Sequence, residues 1–267
     1  MNQLNQIAKE LLTSQKVKLV IGYGEGTDGR VRPVFVRKSE DASQLIWDDR
    51  CRQNLAVYLN KTEIREIGFP IAIVSLPATV RSIVQLIAEH QFQVEDVIPI
   101  VQEGANVTTI ENKERLEQYA AANPVVFPPF VVEEIENIRN KSVEERFEYW
   151  QEELSRCFKC YACRAACPLC YCERCITDVN TPQWVCVPPH AIGTFEWHMN
   201  RAMHLAGRCV ECGSCTIACP VGIPIGLLTM EATRIAREEL GYEPGIKCDV
   251  PAALATFRPD DKESFIL

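Results

Sequence analysis

Apolar residues at Leu4, Ile7, Ala8, Leu11 and Leu12 recur at helical spacing, so residues 2–13 are predicted to form a short amphipathic helix. The apolar run 17–21 reads as a strand, and a second run, 31–36, follows the glycine-rich stretch from Gly22 to Gly29. No helix start follows those glycines, so they are expected to turn a hairpin rather than to cradle a phosphate. Residues 48–59, carrying Cys51, Leu55, Ala56 and Tyr58, are expected to be helical. Two short buried-type strands, 71–75 and 96–101, flank a predicted helix over 77–91 with Pro77 in its first turn. That β-α-β pattern implies a mixed or parallel sheet covered by helices.

The pattern then changes. A polar helical run over 111–122 is followed by Pro124, Pro128 and Pro129, which mark an extended linker. Beyond it, 133–139 and 143–154 read as charged amphipathic helices, with further helices over 201–208 and 227–240. The stretch from Gly241 to Leu267 has little periodicity but carries Phe257, Phe265, Ile266 and Leu267. It is expected to dock on the body or on another subunit.

Among the 267 residues, 47% are hydrophobic and 24% charged, which suits folded domains, two being the better fit to the length. A net charge of −8 without a Lys/Arg cluster argues against a nucleic-acid partner. No apolar run approaches membrane-spanning length and no signal pattern opens the chain, so a cytoplasmic location is expected. Fourteen cysteines in that setting read as metal ligands rather than bridges. Only Cys51 precedes residue 157.

The chemistry lies in two runs, Cys157-x2-Cys160-x2-Cys163-x3-Cys167-Pro168 and Cys209-x2-Cys212-x2-Cys215-x3-Cys219-Pro220. This is the spacing of bacterial-type ferredoxins, in which the fourth cysteine of each run ligates the other cluster. Two 4Fe-4S clusters follow, one on Cys157, Cys160, Cys163 and Cys219, the other on Cys209, Cys212, Cys215 and Cys167. Small residues beside the ligands, Ala162, Ala165 and Ala166 in one run and Gly213, Ser214 and Ala218 in the other, leave room for the loop to wrap. A zinc site needs no such third and fourth cysteine in register. Between the runs, Cys170, Cys172 and Cys175 with Cys186 form a candidate third iron–sulfur or zinc site, for which Cys51 and Cys248 are alternative fourth ligands. The same insertion carries Trp184, His190, Trp197, His198 and His204, whose histidines read as packed or partner-facing.

These readings divide the chain into an α/β (or α+β) N-terminal domain with a mixed sheet over 1–130 and a ferredoxin-like dicluster domain over 131–240. The latter contains a cysteine-bearing insertion, 168–208, and is followed by the 241–267 tail. The whole chain also resembles the beta-subunit family of deazaflavin-coenzyme-reducing hydrogenases and formate dehydrogenases. The carriers are Cys51-Arg-Gln-Asn-Leu55, the run from Ile71 to Thr79, and Cys167-Pro-Leu-Cys170-Tyr-Cys172. The family's Pro-Cys-Gln-like and Cys-x-Gly elements appear here as Pro77-Ala78-Thr79 and Gln102-Glu103-Gly104, so the N-terminal domain reads as a degenerate flavin-type scaffold. The resemblance implies a subunit that carries electrons between FAD, iron–sulfur clusters and a catalytic partner such as a hydrogenase, a formate dehydrogenase or a heterodisulfide-reductase-type enzyme. The sequence itself offers no convincing acid, base or nucleophile, so an electron-transfer role is expected. Its alternative is an FAD-dependent reductase acting on a deazaflavin or nicotinamide coenzyme.

Overall fold

The computed structural model describes residues 2–175, 181–182 and 185–256. Helix α1 (Gln3–Thr13) opens on Asn2, whose side chain accepts from the Asn5 amide. Strands β1 (Leu19–Glu25) and β2 (Val31–Val36) form the expected hairpin, paired antiparallel from Val20–Val36 to Glu25–Val31. Gly22 and Gly24 lie inside β1 rather than in its turn. A Cβ on Gly22 would sit 2.4 Å from the Leu45 side chain, so the glycine lets residues 39–46 close over the strand.

The helix expected over 48–59 is absent. The side chain of Asp48 accepts from the Arg50 amide and that of Asn54 from the Ala56 amide, and these local bonds favour turns over helix. Only a single 3-10 turn at Leu55–Tyr58 remains, followed by α2 (Thr62–Ile67). Strand β3 (Ile71–Val74), α3 (Pro77–Ala88) and β4 (Val97–Glu103) supply the expected β-α-β unit. A further strand, β5 (Asn106–Thr109), turns back from β4 through Gly104, and α4 (Lys113–Ala122) follows. The sheet order is β2-β1-β3-β4-β5, parallel at its centre and antiparallel at both edges. Strand β3 is buried along its whole length, which explains its uninterrupted apolar run.

The second half is helical: α5 (Pro129–Arg139), α6 (Val143–Ser155), the short turn α7 (Ala162–Ala165), α8 (Ala191–Leu205), the turn α9 (Ser214–Ile217) and α10 (Ile225–Leu240). Helix α8 begins ten residues before the expected 201, capped by His190. Helices α6, α8 and α10 enclose a second core around Trp150, Leu154, Trp197, Ile223 and Met230. No helix among the described residues is long and apolar enough to cross a membrane.

Two cores thus exist, and one seam joins them. Leu169, Leu205 and Val210 of the second half belong to the first core. Glu89, just past the end of α3, accepts two hydrogen bonds from Arg208, at 2.6 and 2.5 Å, and one from Tyr171 at 2.7 Å. Beyond α10 the chain returns to the α/β body, where Gln85 accepts from the Gly245 amide and Glu117 from the Cys248 amide. This stretch stays on the body as far as Ala252, which is buried. Phe257, Phe265, Ile266 and Leu267, like Trp184, lie outside the described residues.

Candidate metal centres

Both cysteine runs fold into the same loop. The third residue of each, Lys159 and Glu211, has positive φ (57° and 61°), as does the fifth, Tyr161 (60°) and Gly213 (70°). This left-handed kink turns backbone amides inward: the Lys159 amide donates to Cys157 Sγ at 3.4 Å, and the Glu211 amide donates to Cys209 Sγ at 3.4 Å. Gly213 adopts the conformation freely, whereas Tyr161 holds it with its ring 5.3 Å from that of buried Trp197. After Pro220, the Ile223 amide donates to Cys219 Sγ at 3.3 Å.

Cys157, Cys160, Cys163 and Cys219 line one hollow, walled by Trp197, His198, Ile223 and Ile225. These are the four sulfurs that crossed ligation assigns to the first cluster. In the second set, Cys209 lies near Cys212 and Cys215, and Cys167 lies near Cys212. Burial pushes the Cys163 and Cys215 thiols up to about 11 and Cys209 up to about 12. Unligated, such thiols stay neutral; as thiolates they need a bound cation's charge. Among the described residues no three His, Cys, Asp or Glu side chains converge closely enough for a single metal ion. A cube that reaches out to four separated sulfurs fits this donor set better than one zinc held tetrahedrally.

Helix α8 supplies polar groups that sequence reasoning left without a role. His198 Nε2 lies 3.3 Å from Cys157 Sγ, while its Nδ1 is buried with no hydrogen-bond partner. Burial, with Arg201 and Lys159 nearby, holds this imidazole neutral, its pKa pushed down to about 3. One turn on, Arg201 donates from Nη2 to the Cys163 carbonyl at 3.1 Å, and its Nε has no partner. Burial opposes its charge, but Cys170, Cys167, Cys215 and Cys163 all favour it, so the guanidinium stands between the two cysteine sets. The signal was present in the sequence: Thr194, Trp197, His198, Arg201 and Leu205 fall at helical spacing on one buried face. A helix begun at residue 201 hides it.

Cys170, Cys172 and Cys175 line a shared pocket with Arg164, Arg201, Arg208 and His204. A hydrogen bond with Cys167, aided by Arg201 and Arg208, holds the Cys170 thiol below its ordinary range. None of the three candidate fourth ligands lines that pocket. Cys186 sits beside His190 and Gly193 at the start of α8, Cys51 is buried beneath the Asp48 turn, and Cys248 is tied to α4 through Glu117.

No family model matches the chain. A stretch of 117 residues, 42% of this chain and 30% of the relative, is 32% identical to the F420-dependent formate dehydrogenase subunit beta of Methanocaldococcus jannaschii. Over 122 residues, 45% of this chain and 31% of the relative, it is 35% identical to the F420-dependent formate dehydrogenase 1 subunit beta of Methanococcus maripaludis. The likeness to beta subunits of F420-reducing enzymes is therefore shown over that stretch, which spans about a third of the length of these relatives.

Proposed function

We propose that this chain is an iron–sulfur electron-transfer subunit of a multi-subunit oxidoreductase complex, passing single electrons to or from a partner catalytic subunit. The observation that carries this reading is the hollow lined by Cys157, Cys160, Cys163 and Cys219, three ligands of one run and the fourth of the other. When bound, 4Fe-4S clusters supply reversible one-electron chemistry. The chain's own part is to hold them, with Cys157, Cys160, Cys163 and Cys219 on one and Cys209, Cys212, Cys215 and Cys167 on the other. It also surrounds them with amide donors and packs the Cys157 set against the second core and Cys209 and Cys212 against the first. Homology to formate dehydrogenase beta subunits supports a partner of that class. A cytoplasmic site of action belongs to the same reading.

The test is anaerobic isolation of the complex, with the co-purifying subunits identified and the clusters read by electron paramagnetic resonance. Two interacting 4Fe-4S signals with a catalytic partner are expected. A flavin absorbance band with FAD released on denaturation would select the coenzyme reductase instead.

A third centre on Cys170, Cys172 and Cys175 is favoured by their shared, arginine-lined pocket. Cys186, Cys51 and Cys248 do not line that pocket, whereas His204 does, so all four stand as candidates for its fourth ligand. Iron near twelve per chain, falling to about eight in a Cys172→Ser/Cys175→Ser variant, is the expected result. Equal iron in both proteins would remove this centre.

A further inference from the structure

The two cysteine loops are alike in backbone and opposite in charge. At the same position of each run, between its first and second cysteines, stand Lys159 and Glu211. Both have left-handed φ, and both donate their amide to the first cysteine's sulfur at 3.4 Å. We propose that this charge reversal polarises the relay: the Cys157-side centre is the better electron acceptor of the two, so an electron shared between them rests there. The inference rests on the two-cluster reading above and adds a direction to it.

Lys159 is 8% exposed and its Nζ donates to the Cys186 carbonyl; among the described residues no carboxylate pairs with it. Glu211 is paired with Arg237 at 3.1 Å, and behind that pair Arg81 is matched by Glu243 at 2.8 Å. Arg208 on the same side is matched by Glu89. Even with Arg237 credited in full, the Cys209 side is neutral where the Cys157 side carries one buried positive charge. Arg201 is shared: Cys167 and Cys215 of the Cys209 set favour its charge ahead of Cys163, so it narrows the difference without belonging to either loop.

Hydrogen bonds do not reverse the order. Cys157 and Cys219 together face the Lys159 amide, the Ile223 amide and His198 Nε2. Cys209 and Cys212 face the Glu211 amide and the hydroxyls of Thr229 and Ser214, at the longer distances of 3.7 and 3.5 Å. Reduction adds a negative charge to each centre, and a buried cation or a short donor favours that state. The Lys159 charge and the shorter donors point the same way, and the shared Arg201 only narrows the gap. The Cys209 set also lies against the α/β body, where Cys209 and Cys212 contact the first core, while Cys157 and Cys219 contact the second. The preferred flow thus runs from the seam between the cores toward the outer helices.

The experiment is a redox titration of the anaerobically reconstituted full chain, followed by electron paramagnetic resonance, with signal intensity reporting cluster content in every variant. Wild type should show two separable midpoint potentials. Lys159→Gln should lower the higher one alone, Lys159→Arg should leave it in place, and Glu211→Gln should raise the lower one alone. The exchange Lys159→Glu/Glu211→Lys should reverse which signal appears first. If Lys159→Gln moves the lower signal, or Glu211→Gln the higher, or neither potential moves at full cluster content, the polarity is wrong. Should Lys159→Gln lose its cluster, Glu211→Gln alone still decides. Absence of 4Fe-4S signals from wild type would instead refute the underlying relay.

Discussion

What each donor does depends on which sulfur it faces. His198 is neutral and has one ring nitrogen 3.3 Å from Cys157 Sγ, so it donates to a thiolate there. His198→Phe should make the Cys157-side potential more negative and leave its neighbour unchanged. If the lost bond contributes ~1 kcal/mol, the shift is on the order of 40 mV, since a one-electron couple moves about 59 mV per tenfold change. Equal shifts in both potentials would show that the substitution had merely disturbed the fold. Crossed ligation makes a second prediction. Cys167→Ala should abolish the signal of the Cys209 set while sparing that of its own run, and loss of the Cys157-side signal would contradict the ligand assignment.

Elements show what periodicity alone can resolve. Strands β2, β3 and β4 and helices α1, α3, α6 and α10 were legible because their apolar spacing follows their burial, on one face in β2, α1, α6 and α10 and all round in β3, most of β4 and the middle of α3. The 48–59 stretch misled because Asp48 and Asn54 satisfy backbone amides locally, a competition that apolar spacing does not register. Strand β5 was missed because Asn106–Thr109 is short and lies at an edge with no buried residue. That Cys157, Cys160, Cys163 and Cys219 share one hollow follows from their spacing along the chain, whereas the placing of His198 and Arg201 depends on a helix that begins ten residues earlier than apolar spacing suggests. Helix α6, which carries Trp150 and Leu154 into the second core, starts with a reciprocal cap: Ser142 Oγ accepts from the Glu145 amide, and Glu145 accepts from the Ser142 amide. Ser142→Ala should cost about 1 kcal/mol in denaturant unfolding of the reconstituted protein, with no change in cluster content.

On the scale of the whole molecule, the two cores are fastened at Glu89. Burial pushes its carboxyl up, but Arg208, Gln85 and Tyr171 outweigh burial and hold it below the usual carboxylate range. A depressed folded pKa stabilises the protein fully above the unfolded value of about 4.3 and is lost as pH falls through the lower, folded one. Glu89→Gln should therefore be less stable than wild type at pH 7, by about 2–4 kcal/mol given partial burial. The gap should shrink progressively below about pH 4. A gap that stays constant down to pH 3 would mean that shape rather than charge fastens the seam. The same seam sets the Cys209 loop against the α/β body, so its integrity decides how the relay meets the rest of the chain. The most direct test of the relay itself is a count of iron and acid-labile sulfide in the anaerobically reconstituted chain. At least about eight of each per chain are expected, with about four lost in Cys160→Ala and a different four in Cys212→Ala. A total of about four, or zinc without labile sulfide, would contradict it.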